Sequence, residues 1–506
     1  MIISMSIPFK SEPSSLRQHQ LFPSNIFDLL PEDHDCFLFK DLLNQLDTSS
    51  IEELYSPNGQ HAYHPLKIIG ILIYGYTHGV FSSRQLEKRS NEDLSFMFIA
   101  GKDCPNFRVL SDFRKDHAAF FQDCFKQTVT LAMEMKLASL GHVSLDGSKF
   151  KANSSKHKAM SYKHMKQKER ALSEEIDSLI RQGSACDKEE DASYKDKTGY
   201  ELPEDLTFKK QRLATIKKAK AALEAREEAL NPSQPIEGKK QISFADNDAR
   251  IMGKKGDFDC RYNGQISVDS DHQIIVGQHL SQNANDKQEV LPGLKSIEEN
   301  AQKLPDTMSL DNGYQSGSNL EALEETGIDA YVAVDRGEKS HQAELGDSDR
   351  QLVKADFRCD EEQDCFNCPG GQRLALKSCG RDGLYVYQGD ANTCAQCHYH
   401  ARCCQSKSGK ARTITTDRHE GLRQQMKDRM AKASSKEIYK HRKTIVEPVF
   451  GHIKNGGFRR FSVRGKDKVA GEFSLVCAAH NIKKMVKALM TGSLCPESGE
   501  RVIAGA

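Results

Sequence analysis

The fold is decided by the segment HVSLDG, residues 142–147, and by its counterpart TMSLDNGY, residues 307–314. Each begins with a short apolar strand pattern and reaches an aspartate, Asp146 in the first and Asp311 in the second, before turn-forming residues follow. We therefore predict two strands that each end in a carboxylate, and strand ends in an α/β sheet are where ligand-binding residues collect. Aspartates at strand ends also serve as plain turn residues, so both interpretations stay open at this point.

A third segment, YKHRKTIVEPVFGHIK at residues 439–454, is predicted to be a helix that carries one acid among several bases. Lys443, Glu447 and Lys454 are four and seven residues apart, a spacing that places them on one helical face. Pro448 removes one helical hydrogen bond, so we expect the helix to kink or restart there. The plain alternative is a surface ion pair, which contributes only ~0.3–0.5 kcal/mol.

Three carboxylates that converge on one point are what phosphodiester chemistry with two divalent metal ions needs. Mg²⁺ and Mn²⁺ take oxygen ligands and keep coordination positions open for water and phosphate. The predicted catalytic and metal-binding residues are Asp146, Asp311 and Glu447.

The rest of the chain divides into helical, strand-forming and cysteine-rich parts. In two charged runs within residues 156–232, apolar residues recur at helical spacing, which predicts packing seams between an antiparallel helical pair joined by polar residues 183–203. We expect a helical N-terminal domain for DNA docking or assembly (1–140), followed by an α/β catalytic domain that two inserts interrupt. The catalytic domain comprises a first strand (141–155), a central part (233–340) and C-terminal helices (411–490, with helices at 437–454 and 473–489). The inserts are helical (156–232) and cysteine-rich (341–410), and a flexible tail (491–506) ends the sequence.

Cysteines cluster between residues 359 and 404, where C-x-x-C steps stand at 365–368 and 394–397. Each such step can chelate a tetrahedral ion from one tight turn, which predicts a closed structural Zn²⁺ site. Inert thiols in a loop are the alternative. The favoured ligands are Cys368, Cys394, Cys397 and Cys403, and His398 and His400 are the substitutes.

Charge is distributed unevenly along the 506 residues. The formal net charge is only +1, yet residues 402–487 contain 22 Lys and Arg against 7 Asp and Glu. A basic block of this size suits the phosphate backbone of nucleic acid, and a solvated basic face is the alternative. Because no apolar run is long enough to span a membrane, we expect a soluble cytoplasmic protein, associated with the bacterial nucleoid and with no membrane partner.

Together these segments resemble insertion-sequence transposases of the DDE superfamily, in the branch with a Tyr–Arg–Glu–Lys signature. The resemblance covers nearly the whole chain. Its N-terminal part rests on residues 17–23, 64–67, 106–107 and 113–114, and its catalytic part on residues 146–149, 311–314, 446–451 with Lys454, and AHNIKK at 479–484.

The resemblance implies an RNase H-like mixed sheet with flanking helices, and an enzyme that cuts DNA at transposon ends and joins them to target DNA. It further implies two Mg²⁺ or Mn²⁺ ions, terminal inverted repeats and target DNA as partners, and a homodimer in the synaptic complex. Tyr439, Arg442 and Lys454 are the implied contacts to terminal DNA phosphates. The family pattern has three residues between its Arg and Glu, whereas four separate Arg442 from Glu447, so Lys443 is the alternative and helical geometry favours it.

Two other functions remain open from the sequence. An RNase H-like nuclease would share the carboxylates but cut DNA without strand transfer. A non-catalytic, zinc-containing DNA-binding protein would have no need for metal-coordinating acids.

Overall fold

The computed structural model of this chain is a mixed α/β structure. It describes residues 25–56, 62–156, 159–191, 204–254, 256–334, 350–360, 362–380, 383–404 and 411–492. The motif at 17–23, most of the polar connection at 192–203 and the expected tail from residue 493 onward lie outside the described residues.

The N-terminal part is helical, as predicted. Pro65 stands in the first turn of the most apolar helix, where its missing N–H costs nothing, and Gly79 follows that helix with a φ of +74°. These helices share one hydrophobic core with the sheet that follows. Their bounds are α1 (Asp35–Leu43), α2 (Ser49–Glu52), α3 (Pro65–Thr77), α4 (Ser83–Glu92), α5 (Leu94–Ala100), α6 (Phe107–Asp116) and α7 (Ala118–Glu134).

The main sheet combines an antiparallel part with a parallel part. In chain order the strands are β1 (His142–Lys151), β2 (Ala159–Ser161), β3 (Gln241–Ser243), β4 (Arg250–Met252), β5 (Asp259–Asp269), β6 (Ile275–Ser281), β7 (Thr307–Leu310) and β8 (Asp329–Val332). The sheet order is β4-β5-β1-β7-β8, with β6 also paired to β5. β5 runs antiparallel to β1, whereas β1, β7 and β8 run parallel to one another. β2 and β3 form a separate small ladder.

The first strand is longer than predicted. We expected β1 to end at Asp146, but it continues through Lys151 because Gly147 to Lys149 pair with β5 at Gln265, Gly264 and Asn263. The glycine and the polar residues after Asp146 resemble a turn in the sequence, and the long partner strand overrides that local preference. Asp146 therefore lies within a strand, whereas Asp311 follows the last residue of β7 as predicted.

Two long helices, α8 (Tyr162–Asp191) and α9 (Glu204–Leu230), follow the first strand. They run antiparallel, because Lys220 meets Glu169 while Lys209 meets Glu175. Residues 183–191 continue α8 where a polar connection was expected, since their Ala, Asp, Glu and Lys residues do not interrupt a helix. The seam between the two helices consists of Met165, Leu172, Ile176, Ile216, Ala219 and Leu223 with Ile242.

The remaining helices of this region are α10 (Val290–Ala301) and α11 (Gly317–Glu325). After them, the cysteine-rich part forms a small antiparallel sheet, although no strand was predicted there. Its strands are β9 (Arg358–Asp360), β10 (Cys365–Asn367), β11 (Arg373–Cys379), β12 (Tyr385–Gln388) and β13 (Thr413–Thr416), in the order β13-β12-β11-β10-β9. Phe366 and Leu374 lie in a hydrophobic cluster separate from the main core. Two short helices, α12 (Ala391–Ala395) and α13 (His400–Cys403), lie between the last two strands.

The C-terminal region consists of helices, and the predicted helix at 437–454 is divided into three. The helices of the C-terminal region are α14 (Glu420–Ala431), α15 (Ala433–Lys440), α16 (Arg442–Ile445), α17 (Glu447–Asn455) and α18 (Lys466–Met490), and the predicted helix corresponds to α15, α16 and α17. The expected restart at Pro448 is confirmed, because α17 begins at Glu447 with this proline in its first turn. Since Lys443 belongs to a different helix from Glu447 and Lys454, the predicted single face carrying all three residues was wrong.

Candidate active site

Asp146 and Asp311 come from neighbouring parallel strands in matching register. Leu145 pairs with Leu310, so the two aspartates occupy the next positions on β1 and at the end of β7. One step earlier, the hydroxyl groups of Ser144 and Ser309 lie 2.7 Å apart in a hydrogen bond. Because side chains two residues apart share a face of a strand, and adjacent strands are about 4.8 Å apart, the two carboxyl groups lie side by side on one face of the sheet. The region between them and helices α16 and α17 is the cleft.

Arg442 links Glu447 to this pair. Its guanidinium nitrogens lie 3.3 Å from Asp146 Oδ2 and 3.6 Å from Glu447 Oε1. The side chain of Arg442 is 7% exposed, whereas that of Glu447 is 51% exposed, so Glu447 stands at the open side of the cleft. Tyr439 also interacts with Arg442. Burial by itself lowers the pKa of Arg442, but the surrounding negative groups, Asp146 most strongly, outweigh burial and raise it.

The structure therefore brings Arg442 rather than Lys443 to the carboxylates. Lys443 is exposed on α16, on the solvent side of the same turn. The helical geometry that favoured Lys443 assumed an unbroken helix, and the break between α16 and α17 removes that premise.

Lys454 reaches back across the cleft from α17. Its ammonium group donates a hydrogen bond to the Ser148 hydroxyl and lies 5.2 Å from the centre of the Phe150 ring. Burial, with the nearby Arg261 and Arg459, lowers the pKa of Lys454, while Asp146 opposes that change. Three of the four residues expected to contact DNA phosphates thus lie around the cleft: Tyr439, Arg442 and Lys454.

Asp286 is a fourth acid at this cleft, and the sequence interpretation missed it. Its Oδ1 accepts hydrogen bonds from the side-chain amides of Asn263 at 2.7 Å and Gln265 at 2.6 Å, and Lys149 Nζ lies 3.9 Å away. Asp286 belongs to the loop after β6, so no strand pattern points to it. The only sequence feature connected with it is a pair of polar residues, Asn263 and Gln265, which are buried in β5.

Close packing around Asp286 explains a glycine beside the first aspartate. A Cβ atom on Gly147 would lie 2.2 Å from Gln265 Nε2 and 2.9 Å from Asp286 Oδ1. Real Cβ atoms do not approach other heavy atoms so closely, so any side chain at this position would push the amide and the carboxylate aside. The glycine after Asp146 therefore permits the strand to approach the polar floor of the cleft.

Electrostatics at the cleft favour an additional positive charge. Burial raises the pKa of Asp146 to about 6, and Asp311 adds to this rise while Arg442 opposes it. Asp286, Asp146 and Asp311 also add to the effect of burial in raising the pKa of the Tyr314 hydroxyl, which donates a hydrogen bond to Gln265 Oε1. In the described residues, no three His, Cys, Asp or Glu side chains stand close enough together to form a ready metal-binding group.

Five cysteines of the cysteine-rich part line one small pocket. Cys368, Cys394, Cys397, Cys403 and Cys404 all line it. A Cβ atom on Gly370 would lie 3.3 Å from Cys397 Sγ and 3.6 Å from Cys368 Sγ, so these two thiols flank the same glycine. Burial and the neighbouring Cys404 raise the pKa of Cys403. All cysteines in the part of the chain that the structure describes are free thiols.

Two family models match this chain. Residues 367–486 match a family described as "Transposase DDE domain", a stretch that includes Arg442, Glu447 and Lys454. Residues 24–116 match a family described as "Transposase domain (DUF772)". No curated protein matches the chain. No helix among the described residues is both long and apolar enough to cross a membrane.

Among solved structures, the chain is similar to a cryo-EM structure of a piggyBac transposase synaptic complex with hairpin DNA. The similarity covers 92% of this chain and 77% of that one, at 10% sequence identity and a TM-score of 0.32. At so low a TM-score the likeness supports no further inference.

Proposed function

We propose that this chain, which the two family matches identify as an insertion-sequence transposase of the DDE type, cuts DNA at the ends of its element and joins those ends to target DNA. The observation that carries the proposal is the register of β1 and β7, which sets Asp146 beside Asp311 while Arg442 ties Glu447 to the same cleft. Terminal inverted repeats and target DNA are the proposed substrates, and a homodimer is the proposed active assembly.

The catalytic sheet is, in this proposal, RNase H-like. Support comes from its strand order, in which an antiparallel three-strand part built on β1, β5 and β6 is extended by the parallel strands β7 and β8. The first aspartate lies on the central strand, the second follows the neighbouring parallel strand, and the glutamate is on a C-terminal helix.

Asp146, Asp311 and Glu447 are the proposed ligands of two Mg²⁺ or Mn²⁺ ions. Their oxygen donors and their shared cleft suit hard divalent cations, and a bound cation would also stabilise the Asp146 carboxylate, whose pKa is raised by burial and by Asp311. Two such ions, when bound, would supply activation of the attacking hydroxyl and stabilisation of the leaving oxygen of a phosphodiester. The protein's own cations have a different task, because Arg442 and Lys454 are placed to orient a scissile phosphate against the carboxylates, with Tyr439 holding Arg442.

The decisive assay uses a labelled duplex that carries the element's end, incubated with purified full-length protein in Mg²⁺ and in EDTA, together with an unlabelled target duplex. The proposal expects Mg²⁺-dependent cleavage at the end and labelled products joined to the target. Cleavage without joined products would instead establish a nuclease. Binding without either reaction would leave a DNA-binding protein and would overturn the enzymatic assignment.

Arg442 and Lys443 should differ sharply when each is replaced. Arg442→Gln is expected to lower cleavage at saturating DNA by roughly 10²-fold, because it removes a buried cation that contacts Asp146 and Glu447. Lys443→Gln is the matched control and should change the rate by less than about threefold, since Lys443 is exposed. Rates from a single-turnover gel assay decide between them, and equal losses in both variants would contradict this placement of the two side chains.

We further propose that the cysteine pocket holds one structural Zn²⁺ ion. Support comes from the two C-x-x-C steps and from the position of Cys368, Cys394 and Cys397 around one pocket. Cys403 and Cys404 are both candidates for the fourth ligand, because both line the pocket and Cys404 also contacts Cys394. We expect elemental analysis of purified protein to find about one zinc per chain. Cys394→Ser should abolish this zinc, whereas the distant Cys104→Ser should retain it. Protein purified without chelators that contains no zinc would refute this site.

A further inference from the structure

A basic cleft opens on the other side of α17 from the carboxylates. Its volume is about 320 Å³, and it lies where the end of α3 meets α17 and α18. Tyr76, Phe81 and Phe458 are among the side chains that form its walls. Lys483, Lys484 and Lys487 from α18 supply its charged groups, and His452 from α17 lies beside them.

α17 separates this cleft from the catalytic carboxylates by the thickness of one helix. At roughly 100° per residue, Glu447 and Lys454 lie on one side of α17, whereas His452 and Gly456 lie on the opposite side. Lys454 contacts Ser148 on the catalytic side, and His452 and Gly456 line the basic cleft. Because a helix with its side chains is about 10–12 Å across, one bound duplex can reach both sides.

The lysines of the cleft repel one another and have no acidic partner among the residues that the structure describes. Lys483 donates a hydrogen bond to the Thr77 carbonyl at 3.0 Å, and Lys484 donates one to Gln273 Oε1 at 2.6 Å, so both bind neutral acceptors. Within the described residues none of the three lysines forms an ion pair. The groups that shift the pKa of His452 downward, after burial, are Lys484, Lys483 and Lys487.

We propose that this cleft binds the phosphodiester backbone of duplex DNA. The proposal rests on the proposed function and adds to it a second contact surface outside the catalytic centre. Duplex DNA carries one negative charge per about 1.7 Å of helix axis, so lysines along the exposed side of α18 can neutralise several phosphates at once. The apolar walls form a low-dielectric border beside the lysines, which focuses their field at the mouth of the cleft. The segment AHNIKK, residues 479–484, thereby gains a role, because Lys483 and Lys484 provide charge while buried Asn481 fixes the helix to β6 through Ile275.

Salt-dependent binding of the end duplex tests the cleft. Affinity is measured by fluorescence anisotropy with the full-length protein in EDTA, so that no cleavage occurs. Lys483→Gln/Lys487→Gln should bind roughly 10–100-fold more weakly near 0.1 M salt, and its slope of log K against log salt should be shallower by about 1.8, because two phosphate contacts are lost. Both lysines are exposed, so the variant should melt as the wild type does.

Two controls make the result specific. Lys295→Gln/Lys303→Gln removes two exposed lysines that already pair with Glu299 and Asp306, and it should keep the wild-type affinity and slope. Lys483→Arg/Lys487→Arg keeps the charge and should bind as the wild type does. If the slope is unchanged in the glutamine variant while the wild-type protein still binds and cleaves the end, the proposal that the cleft binds DNA is overturned and the proposed function is not. Inorganic phosphate that competes as well as duplex DNA does, at equal phosphate concentration, would also overturn it. Absence of end binding in every protein would instead count against the proposed function.

Discussion

Asp146→Asn is expected to lower Mg²⁺-dependent cleavage of the element's end by roughly 10³-fold while leaving affinity for that DNA nearly unchanged. The substitution keeps the shape of the side chain and an oxygen that can accept the Gly147 N–H at 2.8 Å, but it removes the negative charge beside Asp311. Cleavage in a single-turnover gel assay and binding by anisotropy give the two readouts. Asp311→Asn and Glu447→Gln should each lose a comparable factor, because the three groups are proposed to act as one unit.

Asp271→Asn is the matched control for this series. Asp271 is exposed in the turn between β5 and β6, away from the cleft, so its loss should leave the cleavage rate at the wild-type level. The double variant Asp146→Asn/Asp311→Asn should be about as inactive as either single variant, since members of one catalytic unit are not additive. Wild-type cleavage by Asp146→Asn, or an equal loss in Asp271→Asn, would contradict the assignment of these carboxylates.

Arg114→Met is expected to destabilise the fold by ~3–5 kcal/mol, the largest stability effect we predict. Arg114 is buried and donates hydrogen bonds to the Tyr76 hydroxyl at 2.8 Å and the Phe81 carbonyl at 2.9 Å. Tyr76 in turn donates to Glu472 at 3.0 Å, so the network ties α6 and α3 to α18. Methionine fills much of the volume but leaves the Glu472 carboxylate, which is 1% exposed, without its cation.

Thermal melting followed by circular dichroism measures this effect. Arg89→Met removes an exposed i, i+4 partner of Asp93 and should cost no more than about 1 kcal/mol. Adding Glu472→Gln to Arg114→Met should recover part of the loss, because the buried charge is then gone. If Arg114→Met melted at the same temperature as Arg89→Met, the buried network would not hold these helices together.

Local patterns sufficed for the parts of the site that lie within single elements. Asp311 was predicted at the end of a strand because alternation and a following turn are visible within a few residues, and the restart at Glu447 followed from Pro448 alone. Asp146 was selected for the same reason, but the length of its strand depends on pairing with β5, more than a hundred residues later. The packing seam of α8 and α9 was also readable, since it repeats along each helix.

Most other relations between elements could not be predicted. The choice between Arg442 and Lys443 depends on the break at Val446 between α16 and α17. This break changes the direction in which the α16 side chains point relative to Glu447. Asp286 has no local signal, because its place in the cleft comes from amide groups on β5. The strands of the cysteine-rich sheet were missed because β9 and β10 are only three residues long, and because β11 is irregular where it pairs with β12.

The most direct measurement counts Mn²⁺ ions bound to the complex of full-length protein with uncleaved end DNA, by electron paramagnetic resonance titration. The count for the triple variant Asp146→Asn/Asp311→Asn/Glu447→Gln on the same DNA is subtracted, so that ions bound by DNA alone do not contribute. The account predicts about two more tightly bound Mn²⁺ ions per catalytic site in the wild type than in this variant. Equal counts in the two complexes would contradict it, because Asp146, Asp311 and Glu447 would then not be the residues that hold the metal ions.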